Sequence, residues 1–184
     1  MLALLPVFNS LSAQSIPAGV SANTNIFLIR HAEKATDGTN NPPLTTAGKK
    51  RAGDLMRHLR SKNIKRIYVT QYQRTQMTAD SMRIQLGIDT VHYTASEDGI
   101  DLFNKITAHH DFGKAILIIG HNSTIPKYIK KLGVANYPTA VIQEAEFNNI
   151  YNVYYKRRFI FFHFVAHVKS GKYGAASSAS GTMQ

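Results

Sequence analysis

The sequence predicts an α/β protein, a three-layer α/β/α sandwich with a mostly parallel sheet and a C-terminal antiparallel hairpin. Three observations lead to this fold class. Short apolar runs alternate with stretches of helical spacing over residues 25–133, which is typical of strand–helix repeats. Two of these runs end abruptly at a polar pair that contains a histidine. Residues 149–168 are aromatic and β-branched, as expected for paired strands.

Continuous apolar runs predict the parallel strands, which cover residues 26–29, 66–70, 88–93 and 115–119. Apolar side chains that recur every three or four positions predict helices near residues 45–59, 75–86, 99–110 and 125–132. The first helix is supported by a stripe at i, i+3, i+4 and i+7, formed by Ala52, Leu55, Met56 and Leu59. The second and fourth helices should stop at Gly87 and Gly133, since glycine is common just past a helix end.

The predicted domain spans residues 25–174. Its closing hairpin is expected to pair residues 149–155 with 159–168, joined at the basic triplet 156–158. Residues 1–24 are interpreted as a leader-like segment followed by a flexible approach to the first strand. Residues 175–184 are rich in alanine, serine and glycine and are predicted to be a disordered tail.

Composition narrows the functional classes. The chain has 184 residues and no cysteine, which excludes disulfide scaffolds, thiolate zinc sites and cysteine nucleophiles. Its 22 Lys and Arg against 11 Asp and Glu give a net charge of +11, and such a charge attracts anions. No RNA-binding or helix-turn-helix pattern is present, so we expect a small phosphorylated partner and no nucleic acid.

The N-terminus gives an expectation about localisation. Residues 1–8 are apolar and residues 10–14 are small and polar, like the central and cleavage regions of a secretory signal peptide. The usual positive start is missing, because no Lys or Arg precedes Arg30. We expect export to the periplasm or beyond, the alternative being an apolar tail packed on the domain. The run is too short to span a bilayer, so no integral membrane span is expected.

Two strand ends supply the first candidate site residues. Arg30 and His31 follow the first strand, and His121 follows the strand at 115–119. In open α/β sheets, ligands bind outside the carboxyl ends of the strands. A neutral imidazole is a good nucleophile for phosphorus. A neighbouring guanidinium binds phosphoryl oxygens and disfavours the protonated imidazole. The pattern therefore predicts a phosphate site at this edge.

Two helix starts are expected at the same edge. Residues 44–52 (LTTAGKKRA) open the first helix, and residues 70–79 (TQYQRTQMTA) place Arg74 at the entrance of the second. Free N–H groups and the helix dipole favour anions at helix N-termini. Arg74 is therefore a candidate for phosphate binding.

In this order, the motifs at residues 30–34, 44–52, 74–79 and 120–121 resemble those of the histidine phosphatase, or phosphoglycerate-mutase-like, superfamily. The resemblance covers about residues 25–174, and RHAEK at 30–34 is most similar to small bacterial members. It implies that His31 becomes a phosphohistidine and that Arg30 and Arg74 hold phosphoryl oxygens. It also implies that His121 donates to the phosphoryl group, and that no metal or other cofactor is needed.

The resemblance also implies a proton donor for the leaving group between the second helix and the Gly-His strand. That interval offers four acidic side chains: Asp89, Glu97, Asp98 and Asp101. We expect Glu97, in preference to Asp98, to be the acid, with Asp98 as a candidate to support it, although some members that cleave phosphohistidine lack this acid. Glu33 matches an acidic position of the family and could orient His31 or Arg74, or form a surface salt bridge.

The spacing favours hydrolysis over a mutase cycle. Gly120 follows Arg74 by only 46 positions, which leaves no insertion large enough to cap a retained sugar phosphate. We therefore predict a metal-independent phosphohydrolase that acts through His31. The alternatives are a protein phosphohistidine phosphatase and a catalytically weak phospho-ligand binding module. The oligomeric state, monomer or homodimer, stays open.

Two other segments are given lesser roles. The pair at residues 109–110 (HH) is interpreted as a solvated helix end, because no third metal ligand has suitable spacing. The segment 143–149 (QEAEFNN) is interpreted as a solvated loop, the alternative being that one of its carboxylates reaches the site mouth.

Overall fold

The structure is a computed structural model that describes residues 15–158 and 163–176. Six strands and four helices occur in this part of the chain. They are β1 (Asn25–Arg30), α1 (Thr46–Leu59), β2 (Arg66–Thr70), α2 (Gln73–Leu86), β3 (Thr90–Tyr93), α3 (Ile100–Ala108), β4 (Ala115–Gly120), α4 (Ile125–Lys131), β5 (Asn149–Arg158) and β6 (His163–Lys172). The predicted fold class is confirmed.

The sheet places the two histidine-bearing strand ends side by side. Its strand order is β3-β2-β4-β1-β5-β6. The strands β3, β2, β4 and β1 are parallel, and β5 and β6 add an antiparallel hairpin beyond β1. Arg30 of β1 lies opposite Gly120 of β4. The backbone N–H of His31 donates to the carbonyl of Gly120 at 3.0 Å, so the pairing continues to the residue that begins the site.

Apolar side chains bury both faces of the sheet, which accounts for the three layers. On one face, alternate residues of β1 and β4 pack against α3 and α4. On the other face, the intervening residues pack against α1 and α2. Strands covered on both sides are expected to be continuously apolar, as these two strands are. Ile16 and Val20, which precede β1, also pack against the first of these clusters.

The closing hairpin differs from its prediction in one respect. The basic residues 156–158 were expected to form the turn, but β5 runs through them to Arg158. Arg158 pairs with His163, and residues 159–162 between them lie outside the described part of the chain. Strand formation here follows cross-strand neighbours more than local charge, and the basic residues 156–158 are exposed on the strand. The predicted turn position is therefore wrong, whereas the predicted hairpin is confirmed.

The leader-like residues 1–14 and the tail residues 177–184 lie outside the described residues. Within the described ranges, no helix has the length and apolar character needed to cross a membrane.

Gly48 allows the start of α1 to pack closely against the segment that follows His31. Thr45 caps the helix, since its Oγ1 accepts from the N–H of Gly48 at 3.0 Å. The N–H of Thr45 donates to the carbonyl of Glu33 at 2.9 Å. A Cβ atom added at Gly48 would lie 2.3 Å from that same carbonyl oxygen. Only glycine permits this approach, which explains the glycine in the LTTAG motif.

We predict that Gly48→Ala destabilises the protein by about 1–3 kcal/mol, because the helix start must move away from the Glu33 backbone. Gly53→Ala in the same helix is the matched control. Its Cβ would meet the flexible end of the Arg57 side chain at 3.4 Å, so alanine should be neutral or stabilising by about 0.5–1 kcal/mol. Urea unfolding of both variants measures the difference, and equal stabilities would contradict the prediction.

Candidate active site

Four side chains predicted from the sequence meet at the carboxyl ends of β1 and β4. The rings of His31 and His121 lie edge to face, with centroids 5.5 Å apart. Arg30 is the last residue of β1, and Arg74 lies in the first turn of α2. The charges of both arginines act on both imidazoles. The structure therefore brings together Arg30, His31, Arg74 and His121.

The imidazole of His31 is held in one tautomer. Its Nδ1 lies 2.8 Å from the carbonyl oxygen of Ala32. A carbonyl only accepts hydrogen bonds, so Nδ1 carries the proton and the lone pair is on Nε2. The pKa of His31 is lowered to about 3, chiefly by burial and in smaller part by the neighbouring His121, Arg30 and Arg74, although the hydrogen bond to Ala32 acts to raise it. His31 is therefore neutral at physiological pH, with Nε2 as its nucleophilic atom.

Three buried nitrogen atoms around His31 have no hydrogen-bond partner in the described part of the chain. They are Nε of Arg30, Nε of Arg74 and Nε2 of His121. Burial, followed by the charges of Arg74 and Arg30, lowers the pKa of His121 to about 4, so its imidazole is also neutral. Unpaired buried polar groups cost stability and call for an explanation. Two guanidinium donors and an imidazole that converge in this way are suited to the oxygens of a bound anion.

Two aromatic rings, those of Tyr72 and Phe147, line the site. The Tyr72 ring has the Arg74 guanidinium 4.2 Å from its centroid and packs edge to face with His121 at 5.4 Å. The Phe147 ring likewise has the Arg30 guanidinium at 4.2 Å. Such stacking fixes the planes of both guanidiniums while leaving their edges free. Sequence reasoning missed both rings. The position of Tyr72 two residues before Arg74 was the one available signal.

The motif RTQMTA at residues 74–79 joins α2 by hydrogen bonds to the segment that follows His31 and to the end of β2. The Thr78 hydroxyl donates to the Arg74 carbonyl at 2.6 Å and accepts from the N–H of Ala32 at 3.0 Å. The Thr75 hydroxyl accepts from the N–H of Thr70 at 3.1 Å, which joins α2 to the end of β2. The two threonines therefore position Arg74 relative to the residue whose carbonyl fixes His31.

Glu33 takes the salt-bridge alternative. Its carboxylate receives Arg51 of α1 in a bidentate pair, with nitrogen–oxygen distances of 2.7–2.9 Å. The side chains are only 16% and 6% exposed, so the pair is partly buried and not a surface pair. The contact fixes the segment after His31 against α1, and Glu33 has no hydrogen bond to His31 or Arg74 among the described residues.

The expected acids Glu97 and Asp98 have other partners in the structure. The Glu97 side chain is 70% exposed and pairs with Lys127 of α4. Asp98 accepts from the Ser96 hydroxyl at 2.6 Å and from the N–H of Ile100 at 3.1 Å, at the start of α3. Within the described ranges, neither carboxylate bonds to the histidine pair or to its arginines.

Glu144 reaches the site, which is the alternative given for segment 143–149, and its side chain is at the same time 79% exposed to solvent. Its Oε2 lies 2.8 Å from Nη2 of Arg30, and its Oε1 accepts from Nδ2 of Asn122 at 2.6 Å. The carbonyls of Gln143 and Glu144 accept from Nη1 of Arg30 at 3.0 and 2.8 Å. The irregular backbone here has no periodicity from which this approach could have been predicted.

Possible metal ligands are scattered. No group of three or more histidine or acidic side chains converges anywhere in residues 15–158 or 163–176. His109 and His110 are exposed at the end of α3.

Comparison with known families agrees with this geometry. Residues 26–97 match the model of the histidine phosphatase superfamily, branch 1. The matched segment runs from β1 to the loop after β3 and contains Arg30, His31 and Arg74. Over this segment the chain is similar to the histidine phosphatase superfamily. No curated protein sequence matches it.

Solved structures share the fold across most of the chain. The protein histidine phosphatase SixA complexed with tungstate has a TM-score of 0.55 at 15% identity, covering 81% of this chain and 97% of that one. The α-ribazole phosphatase from Shigella flexneri has a TM-score of 0.55 at 12% identity, covering 84% and 96%. A mutant phosphoserine phosphatase from Entamoeba histolytica in complex with phosphoserine has a TM-score of 0.53 at 16% identity, covering 77% and 94%. At these identities the likeness shows the fold.

The two neutral histidines predict how stability depends on pH. Their pKa values of about 3 and 4 in the folded state lie below the ordinary value of 6.5. Between pH 4 and 6.5 the unfolded chain therefore binds more protons, and stability falls as the pH falls. Each histidine contributes a slope of up to about 1.4 kcal/mol per pH unit.

We predict that His31→Asn flattens this slope markedly, because asparagine cannot be protonated. Urea unfolding at pH 4.5, 5.5 and 6.5 measures the effect, with the exposed His109→Asn as the matched control. An unchanged slope in His31→Asn would show that His31 does not stay neutral in the folded protein.

Proposed function

We propose that this protein is a metal-independent phosphatase that removes a phosphoryl group from a small phosphorylated substrate through a phosphohistidine on His31. The single observation that carries the proposal is the arrangement around His31. A neutral imidazole of fixed tautomer stands beside three buried nitrogen atoms without partners. The match of residues 26–97 to the histidine phosphatase model and the phosphatases among the structural neighbours support the same class of reaction.

Substrate binding would satisfy the unpaired nitrogens. Phosphoryl oxygens would accept from Nε of Arg30 and Nε of Arg74, and from Nε2 of His121 in the tautomer that carries a proton there. Charge-assisted hydrogen bonds of this kind are short and strong. Two guanidinium charges balance the charge of a phosphate dianion, which favours binding to the site.

The transfer step would use the lone pair on Nε2 of His31. A nitrogen–phosphorus bond forms as the bond from phosphorus to the leaving oxygen breaks. Water then attacks phosphorus, its oxygen–phosphorus bond forms, the nitrogen–phosphorus bond breaks, and inorganic phosphate is released. The arginines and His121 act by positioning and by charge, the effects on which phosphoryl transfer mainly depends.

Hydrolysis is favoured over transfer to a second substrate position. Between α2 and β4 the chain forms only β3, α3 and their short connections. No further domain or long insertion lies between them to enclose a phosphorylated intermediate. Water therefore has access to the phosphohistidine, which supports a phosphatase over a mutase.

A protein phosphohistidine is the second candidate substrate. The structural neighbour SixA is described as a protein histidine phosphatase. Imidazole is a better leaving group than an alkoxide, so this substrate depends less on a proton donor. The pairing of Glu97 with Lys127 is compatible with such a substrate.

We also propose that the protein is exported. The proposal rests on the leader-like sequence of residues 1–14, which lie outside the described residues. Fractionation of cells that express the full chain tests it. We expect the protein in the periplasmic or extracellular fraction, and retention with the cytoplasmic markers would contradict export.

We predict that the wild type hydrolyses 4-nitrophenyl phosphate and that His31→Ala lowers kcat/KM at least about a thousandfold, since a nucleophile has been removed. Denaturing the wild type during turnover should trap acid-labile phosphohistidine at residue 31. EDTA should change neither result. The exposed His109→Ala is the control and should keep full activity. Equal hydrolysis by wild type and His31→Ala would refute the role of His31, and binding without turnover would favour the phospho-ligand binding module.

A further inference from the structure

We propose that Glu144 is a catalytic residue, the carboxyl group that protonates the leaving oxygen and then accepts a proton from the attacking water. This inference rests on the proposed function. It assigns the proton transfer to a segment, residues 143–147, that lies far in sequence from the expected acids.

Glu144 is anchored beside the phosphate site from two directions. Its Oε2 contacts Nη2 of Arg30 at 2.8 Å, and its Oε1 accepts from Asn122 at 2.6 Å. Asn122 directly follows His121, so both anchors adjoin residues that face the substrate. Two hydrogen bonds to one carboxylate fix its orientation, which a proton donor needs.

The contacts between Glu144 and Arg30 leave the phosphate-binding edge of the guanidinium free. The segment satisfies Nη1 and Nη2, whereas Nε is buried without a partner. A phosphoryl oxygen on Nε would therefore not displace Glu144. It would lie on an adjacent edge of the same planar group, so phosphate and carboxylate become close neighbours.

The leaving group must lie on the solvent side of this site. The Arg30 side chain is 3% exposed, whereas that of Glu144 is 79% exposed. The phosphoryl end of a substrate fits the buried nitrogens, and the remainder extends outward past the exposed carboxyl group. The leaving oxygen lies between these two parts of the substrate, which brings it towards Glu144.

Glu144 transfers one proton in each of the two chemical steps. In the first step, the Nε2–phosphorus bond of His31 forms, the bond to the leaving oxygen breaks, and that oxygen takes the proton of Glu144. In the second step, a water oxygen bonds to phosphorus, its proton passes to the Glu144 carboxylate, and the nitrogen–phosphorus bond breaks. Glu144 thereby regains the proton that it gave to the leaving oxygen, and hydrogen phosphate is released.

The test compares Glu144→Gln with wild type on esters of different leaving groups. We expect a loss of about 10²–10⁴ in kcat/KM for benzyl phosphate, the size of a general-acid contribution. The loss for 4-nitrophenyl phosphate should be less than about tenfold, because its leaving group needs no proton. The decline of wild-type kcat at high pH should also disappear in the variant. Asn122→Ala should show a smaller effect of the same kind.

Glu146→Gln is the matched control, because Glu146 lies in the same segment but bonds to Asn149 and faces Lys172. It should keep wild-type values for both esters. An equal loss on both esters in Glu144→Gln would mean that Glu144 only shapes Arg30 and would overturn the proposal. The same would follow if Glu97→Gln, and not Glu144→Gln, selectively lost benzyl phosphate.

Phosphohistidine trapping separates this inference from the proposed function. If Glu144→Gln forms phosphohistidine from 4-nitrophenyl phosphate and shows no selective loss on benzyl phosphate, only the role of Glu144 fails. If the wild type forms no phosphohistidine from either ester, both proposals fail. A thermal unfolding midpoint close to that of the wild type confirms that Glu144→Gln is folded.

Discussion

The parallel pairing of β1 with β4 is the contact on which the rest of this protein depends. It aligns Arg30 with Gly120 and continues through the hydrogen bond from His31 to the Gly120 carbonyl. His31 and His121, which are separated by 90 positions in the chain, therefore follow paired residues and lie at the same edge of the sheet. A register shift by one residue would turn every side chain of the shifted strand to the other face and would separate the imidazoles. The apolar layers on both faces oppose such a shift.

The resulting site holds positive charge and unpaired polar nitrogens even without a ligand. Burial and two nearby guanidiniums keep both imidazoles neutral, and three polar nitrogens go without partners. These features oppose folding and favour anion binding. Hydrogen bonds and an ion pair around the site offset this cost in stability. They are the cap of α1 at Thr45, the Glu33–Arg51 pair and the hydrogen bonds of Thr75 and Thr78 in α2. The ring stacking of Tyr72 and Phe147 keeps the guanidinium planes in place.

The sequence was informative wherever function and secondary structure coincide. Arg30, His31 and His121 terminate apolar runs, and Arg74 lies where a helix begins, so periodicity alone located all four at one edge. It could not locate Glu144, because an irregular loop has no period and its contact with Arg30 spans 114 positions. Glu97 pairs with Lys127 in this structure, and its position in a loop does not determine where its side chain points. The triplet at 156–158 looked like a turn because local charge says little about cross-strand pairing.

The guanidinium of Arg51 joins distant parts of the chain. It holds Glu33 with two of its nitrogens and the carbonyl of Ala175, beyond the last strand, with the third. The end of the domain is thereby connected to the segment that carries the nucleophile. A shortened chain or a fusion partner joined before residue 176 would disturb this connection and act on the reaction centre from a distance. Affinity tags and fusion partners are therefore best joined beyond that residue.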